Sequence, residues 1–443
     1  MSSPNPSSVA PPAGVVSFEA ARHLVEQHAV GACPGEVETV DLLAALGRVL
    51  AEGIAADRDF PPFARATRDG YAVRSADLAQ LPAQLQVMGE VKAGEWPDPG
   101  VCSVGPGQAV GIMTGAPLPA GADAVVMVEY TALTGTAVEV EIRRSVNPGE
   151  NFVPRGAEAR AGDLLLDRGR RLDHAAIAIA ASVGKSRVQV FRKPRVAVLS
   201  TGDEVVEIDA TPGQAEIRNS NSYSLAAQVQ NAGGDPVRLA IAPDERGRLR
   251  ELIKEGLSCD LLLLTGGVSM GKYDLVEQVL GELNAEFYFT GAQIQPGRPV
   301  VFGSCSCGAG ALARVPAPMS PSARAGAPAP PKKYFFGLPG NPVSTMVTFE
   351  LFARPMIQAL AGMTPQPLIF LRARLKSDIR TKTGLKRFLP AVLSGEFENA
   401  EVELARWQGS GDIAALAQAN CYVVIPPDRE RIEVGEWVPL LMR

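Results

Sequence analysis

Leu261 to Asp274 reads LLLLTGGVSMGKYD, and this stretch decides the fold. Four consecutive leucines bounded by glycine are the pattern of a strand buried on both faces, as in a parallel sheet covered by helices. Thr265, Gly266 and Gly267 end that strand and open a loop of small residues, Ser269 among them. Backbone N–H groups of such a loop can approach an anion because no side chain intervenes. Asp274 precedes a new helical pattern (Leu275, Val276, Val279, Leu280), where its carboxylate can hold a cation. Further along, FFGLPGNPVS (Phe335–Ser344) repeats the arrangement with a short aromatic strand, then Gly337, Pro339 and Gly340, then Asn341. Pro342 falls in the first turn of the next helix, where proline is best tolerated. Two loops at the carboxyl ends of strands, each feeding a helix N-terminus, describe the ligand crevice of an open α/β sheet.

Working outward, the α/β pattern begins near Pro194. VAVLSTGDEVV is a buried strand ending in a turn through Thr201 and Gly202, and IRNSNSYSLAAQVQNAG is a helix with a polar start. DPVRLAIAPDERGRLRELIKEGL supplies a second strand and helix before the leucine strand. This alternation predicts a doubly wound, mostly parallel sheet over residues 193–364. Glu204, Asp244 and Asp274 each fall just past a strand end, on the edge where the crevice lies. Carboxylates there can hold Mg²⁺, which takes oxygen ligands and bridges phosphates; Asp244 also suits a helix cap before ERGRLRELI.

The flanking segments differ in character. Val16 to about Ala55 carries helical spacing, with Ser17 as a candidate cap and His23 and His28 off a common face, which points to packing rather than metal binding. Residues from about 57 to 146 are short alternating stretches with frequent Gly and Pro, an all-β module. Residues 147–192 then return to the first unit with a loop and an alanine-rich helix. The expected organisation is a tail at 1–15, a discontinuous N-terminal domain at 16–56 and 147–192, and an inserted β domain at 57–146. The α/β domain follows at 193–364, with a small C-terminal β-barrel at 365–443. Residues 304–333, rich in Ala, Pro, Gly and Ser, read as a disordered insertion.

The 443-residue length calls for several domains, and the net charge of −5 gives no reason to expect nucleic acid as a partner. No apolar run approaches the roughly 20 residues that span a bilayer. The N-terminus lacks the pattern of a signal peptide. Six cysteines without framework spacing fit a reducing cytoplasm.

TGGVSMGKYD and GLPGNPVS resemble the two signature loops of the molybdopterin molybdenumtransferase family, which includes a related domain of gephyrin. DRDFPPFARATRDGYAVR, GIMTGAPLPAGADAVV and NPGENFVPRGAE resemble three further segments in the same order. The resemblance implies a homodimer that binds adenylylated molybdopterin, ligates molybdate to its dithiolene and releases AMP with Mg²⁺. It implies catalytic roles for Asp69, Thr114, Glu204, Asp244 and Asp274, with Glu204 and Asp274 as metal ligands and Asp69 and Thr114 reaching the crevice of a second subunit. Arg298, the cation of the Pro-Gly turn beside Pro299, can bind an oxyanion bidentately and so receive molybdate, with Ser344 and Ser410 as further contacts, while the resemblance suggests the Ser410 contact and an anion contact at Arg155. The resemblance further implies handover to or from a molybdopterin adenylyltransferase and the molybdoenzymes. Two departures stand out: Thr67 and Arg68 replace a small residue and Met before Asp69, and lysines common in the family are absent at Gly291 and Gln295. The alternatives are a molybdopterin adenylyltransferase, which would turn over ATP, and a gephyrin-like scaffold without catalysis.

Overall fold

The computed structural model describes residues 14–32, 34–98, 100, 102–134, 138–267, 275–306, 332–364 and 366–443. Ser269, Asp274, Cys307, and most of the tail and of the 304–333 insertion lie outside the described residues.

The central layer is a six-stranded sheet of β1 (Arg195–Ser200), β2 (Asp235–Arg238), β3 (Leu261–Thr265), β4 (Ala285–Phe289), β5 (Val301–Ser306) and β6 (Lys332–Leu338). Their spatial order is β2-β1-β3-β6-β5-β4. The first four are mutually parallel, and β5 runs antiparallel to both of its neighbours. The leucine run behaves as its pattern requires. Leu261 and Leu263 point into one apolar cluster and Leu262 and Leu264 into the other, one on each face of the sheet. Helices Arg246–Gly256 and Leu275–Glu282 cover the second face. Helix Ser220–Asn231 and the long helical run from Pro342 to Leu360 cover the first. This is the doubly wound layer expected from the sequence.

The helix Phe18–Val30 starts at the expected cap, with the Ala20 N–H donating 3.1 Å to Ser17 Oγ. The sequence reading groups it with residues 147–192. Its buried face (Phe18, Ala21, Val25, Ala29) instead joins the first-face core of the α/β layer. The rest of the stretch also departs from expectation: Val37–Asp41 is a strand paired with Arg187–Phe191, and only Leu43–Ala45 makes a short 3₁₀ turn. Helical spacing there is overridden by the β-branched Val37, Thr39 and Val40, which take a distant strand as partner. A separate six-stranded sheet, built from strands between Gly70 and Ile142, forms the inserted β module. At the C-terminus, five strands between Phe370 and Met442 close into a barrel through pairing of Lys386–Ser394 with Cys421–Ile425. The strand Ile294–Gln295 of the α/β unit adds in parallel to that barrel, so the two units share a continuous edge. No described helix is long and apolar enough to cross a membrane.

Candidate active site

The strand order reverses direction beside β1, whose neighbours β2 and β3 lead away on either side; ligands in such sheets bind outside the carboxyl ends at this point. A cavity of about 400 Å³ opens there. Thr201 and Glu204 line it from beyond β1, Thr265 from the end of β3 with Gly266 and Gly267 just past it, and Pro339, Gly340, Asn341 and Pro342 from beyond β6. A second cavity of about 630 Å³ lies towards the barrel, lined by Gln295, Arg298, Ser344 and Ser410 together with Leu385, Trp407 and Gln408. Pro299, Pro339 and Asn341 belong to both walls, so the two cavities are lobes of one crevice.

The glycine turns are required by geometry. Gly266 has φ +91°, and a Cβ on it would stand 2.5 Å from the Thr201 carbonyl oxygen. Thr201 is buried, and its hydroxyl, without a hydrogen-bond partner among the described residues, faces Gly266 and Gly267. The loops beyond β3 and β6 are joined by Asn221, in the first turn of helix Ser220–Asn231. Its Nδ2 donates to Thr265 Oγ1 at 2.9 Å and to the Gly340 carbonyl at 2.7 Å. Thr265 Oγ1 donates to the Pro339 carbonyl at 3.1 Å, and Thr345 Oγ1 donates to that same oxygen. Asn219 Oδ1 caps the same helix on Ser222 N–H and accepts from Ser200 Oγ. The two lobes are tied by Asn341 Nδ2, which donates 2.8 Å to Ser410 Oγ, while the Ser410 carbonyl takes the Val343 N–H at 2.9 Å.

Among the described residues, two cations border the crevice. Arg298 is exposed, and while its carbonyl accepts the Ala292 N–H at 3.0 Å, its guanidinium makes no hydrogen bond or ion pair among the described residues. Arg218, absent from the sequence reading, lines the first lobe, with its Nε donating 3.2 Å to the Ala210 carbonyl. Glu204 folds back over Gly202, which has φ +132° and whose added Cβ would meet the Glu204 carboxylate at 2.4 Å. Asp244 is not the helix cap: Glu245 takes the flanking position without a side-chain bond, and the Asp244 N–H donates 3.0 Å to Asp203 Oδ1. Burial, and then the negative charges of Asp203 and Glu204, push the Asp244 carboxyl above its ordinary range. No three His, Cys, Asp or Glu side chains among the described residues form a ready-made metal cage. Oxygen donors with an uncompensated negative field nevertheless fit Mg²⁺, which commonly uses one or two carboxylates and leaves its remaining positions to water and phosphate.

Other expected site residues lie elsewhere. Gly337 is buried inside β6, paired with Leu264 and Val301, so the loop starts two residues later. Asp69 and Thr114 are together but in the β module: Asp69 Oδ1 accepts the Thr114 N–H at 2.6 Å and its hydroxyl at 2.8 Å. Neither lines the crevice of its own chain. Arg155 is engaged with Asp59 at 2.7 Å. Asn219, Asn221, Arg218, Leu385 and Trp407 were missed; the polar run RNSNS at the start of a helix was the available signal for the first three.

Family models match the MoeA N-terminal region (domain I and II) at residues 16–184, a probable molybdopterin binding domain at 197–359 and the MoeA C-terminal region (domain IV) at 372–442. A molybdopterin molybdenumtransferase of Nostoc sp. is 35% identical, over 92% of this chain and 88% of its own length. The enzyme of the same name from Bacillus subtilis is 32% identical, over 92% and 90%. A crystal structure of a molybdopterin biosynthesis moeA protein from Pyrococcus horikosii shares 32% identity with a TM-score of 0.67, covering 97% of this chain and 99% of that one. The chain belongs to the molybdopterin molybdenumtransferase family, transferases of molybdenum cofactor biosynthesis.

Proposed function

We propose that the first lobe binds adenylylated molybdopterin and the second receives molybdate, so that metal insertion and release of AMP take place in one crevice. The observation that carries this reading is the shared wall: Pro299, Pro339 and Asn341 border both lobes, so ligands in the two would be in contact. Gly266, Gly267 and Gly340 let backbone N–H groups face the phosphoanhydride, and Arg218 adds a positive charge at its rim. Arg298 offers a planar, permanently charged donor fork to the oxyanion, with Ser344 and Ser410 beside it. The dithiolene sulfurs of the pterin take the molybdenum while their two thiol protons and one oxo ligand of molybdate leave as water, which removes any need for a nucleophilic cysteine. Water then adds to a phosphorus of the anhydride, and AMP leaves.

Glu204 and Asp274, with Asp244 close to Glu204, are the residues we assign to Mg²⁺, which when bound neutralises charge developing on the phosphates. Asp69 and Thr114 hold each other outside this crevice, which is consistent with a homodimer in which they complete the site of a second copy. The setting proposed is the cytoplasm, with a molybdopterin adenylyltransferase upstream and apo-molybdoenzymes downstream.

The test is AMP release from adenylylated molybdopterin with Mg²⁺, titrated with molybdate and separately with tungstate. The expected result is oxyanion-dependent release that collapses in Asp274→Ala and in Glu204→Gln. Release of nothing with either oxyanion, despite tight nucleotide binding, would leave a scaffold. ATP consumption would indicate the adenylyltransferase.

A further inference from the structure

We infer that Asn221 is a positioning residue that fixes the 340–341 peptide plane directly, and supports the 339–340 plane through Thr265, so that their N–H groups meet the phosphates of the bound nucleotide. This rests on the reading of the first lobe given above.

The argument begins with peptide geometry. The peptides 339–340 and 340–341 are trans, so in each the C=O and the N–H point in opposite directions. The Pro339 carbonyl is turned into the protein by Thr265 Oγ1 and Thr345 Oγ1. The Gly340 carbonyl is held by Asn221 Nδ2 at 2.7 Å. The N–H groups of Gly340 and Asn341 therefore point away from those anchors, on exposed residues that line the cavity. Neither N–H has an acceptor among the described residues. Two successive free N–H groups on one turn form a concavity suited to an anionic oxygen.

The orientation of the Asn221 amide is set by chemistry. The Gly340 carbonyl can only accept, and the Thr265 hydroxyl already donates its hydrogen bond to the Pro339 carbonyl, so both partners need donors. Asn221 Oδ1 is left buried without a partner among the described residues. An unsatisfied buried oxygen is costly, and here it accompanies an amide whose two N–H bonds both go to the loops. Gly340 also packs closely, since a Cβ on it would lie 3.6 Å from Gly266 Cα, so the clamp sets the spacing of the two glycine loops.

The test uses the full chain, inorganic pyrophosphate and AMP, without molybdate. Calorimetry gives affinity, amide NMR shifts of Gly340 and Asn341 report the contact, and thermal unfolding controls for folding. Wild type is expected to bind, with both amides shifting. Asn221→Ala is expected to bind pyrophosphate roughly tenfold or more weakly, to lose the Asn341 amide shift and weaken that of Gly340, and to remain cooperatively folded with a somewhat lower midpoint of unfolding. Should Asn221→Ala not fold, Asn221→Asp decides, because it keeps the size but loses both donors. Equal pyrophosphate affinity and unchanged amide shifts in the folded variant would overturn the inference and leave the proposed function standing. Failure of wild type to bind either ligand would overturn both.

Discussion

Arg22 Nη1 donates a 2.7 Å hydrogen bond to the carbonyl of Leu351, the oxygen four residues behind Pro355. Proline has no N–H to return to that carbonyl. The helical run widens into a π turn over Phe349–Ala353 just before it, and a guanidinium from a helix more than three hundred residues away takes the place of the missing donor. Arg22 is buried and also paired with Glu26 at 2.8 Å. Arg22→Ala is expected to lower stability by about 1.5–3 kcal/mol in denaturant unfolding, as for loss of a charged donor to a buried acceptor. In a Pro355→Ala background the same change should cost less, since the helix then has a donor of its own. Additive losses would show that the proline does not create the need for Arg22.

The Asp69 carboxylate is held below the ordinary aspartate range, first by the Thr114 N–H and then by the Thr114 hydroxyl. Thr114→Val removes only the second donor. The Asp69 titration, followed by carboxyl NMR, should move upward in that variant yet stay below about 3.9, the unperturbed value. Because the folded-state value is depressed, the pair's contribution to stability is present above that unperturbed value and fades as pH falls through the folded one. A midpoint in Thr114→Val equal to that of a free aspartate would show that the backbone bond contributes nothing.

Among the described residues, Arg298 is the exposed cation lining the second lobe, and the neighbouring Gln295 carries no charge. Arg298→Ala should raise the half-saturating molybdate concentration roughly ten- to a hundredfold, the worth of one charge-assisted hydrogen bond. AMP affinity, measured separately, should be little changed. A matching loss of AMP binding would move Arg298 to the nucleotide lobe.

The two glycine loops differ in how much substitution they tolerate. Gly266→Ala forces a Cβ into the Thr201 carbonyl at φ +91° and should cost about 1–3 kcal/mol in chemical denaturation. Gly340→Ala meets nothing closer than 3.6 Å and has no positive φ, so its cost should stay near or below about 1 kcal/mol. Equal penalties would mean that the Gly266 turn can relax.

The parts legible in the sequence were those set by local pattern. Val196 to Leu199 and Leu261 to Leu264 alternate between two covered faces, so an unbroken apolar run could be read as a sheet interior. Val37–Asp41 was misread because its partner strand is far along the chain, and such pairing leaves no local periodicity. Asn221 was out of reach for the same reason: its two acceptors lie 44 and 119 residues away in sequence. Leu385 and Trp407 enter the crevice from the barrel, a contact that only the docking of two units creates. Gly337 sat in the right motif but on the wrong side of the strand end, the least certain feature of any pattern-based boundary.

Asn341 stands between the lobes, bonded to Ser410 and carrying one wall of each. Any ligand that shifts Asn341 on entering one lobe alters the affinity of the other, and thermodynamic linkage makes that influence mutual. Oxyanion and nucleotide then report a single coupling free energy, whichever is added first. A crevice built this way can hold its first guest loosely until the second arrives.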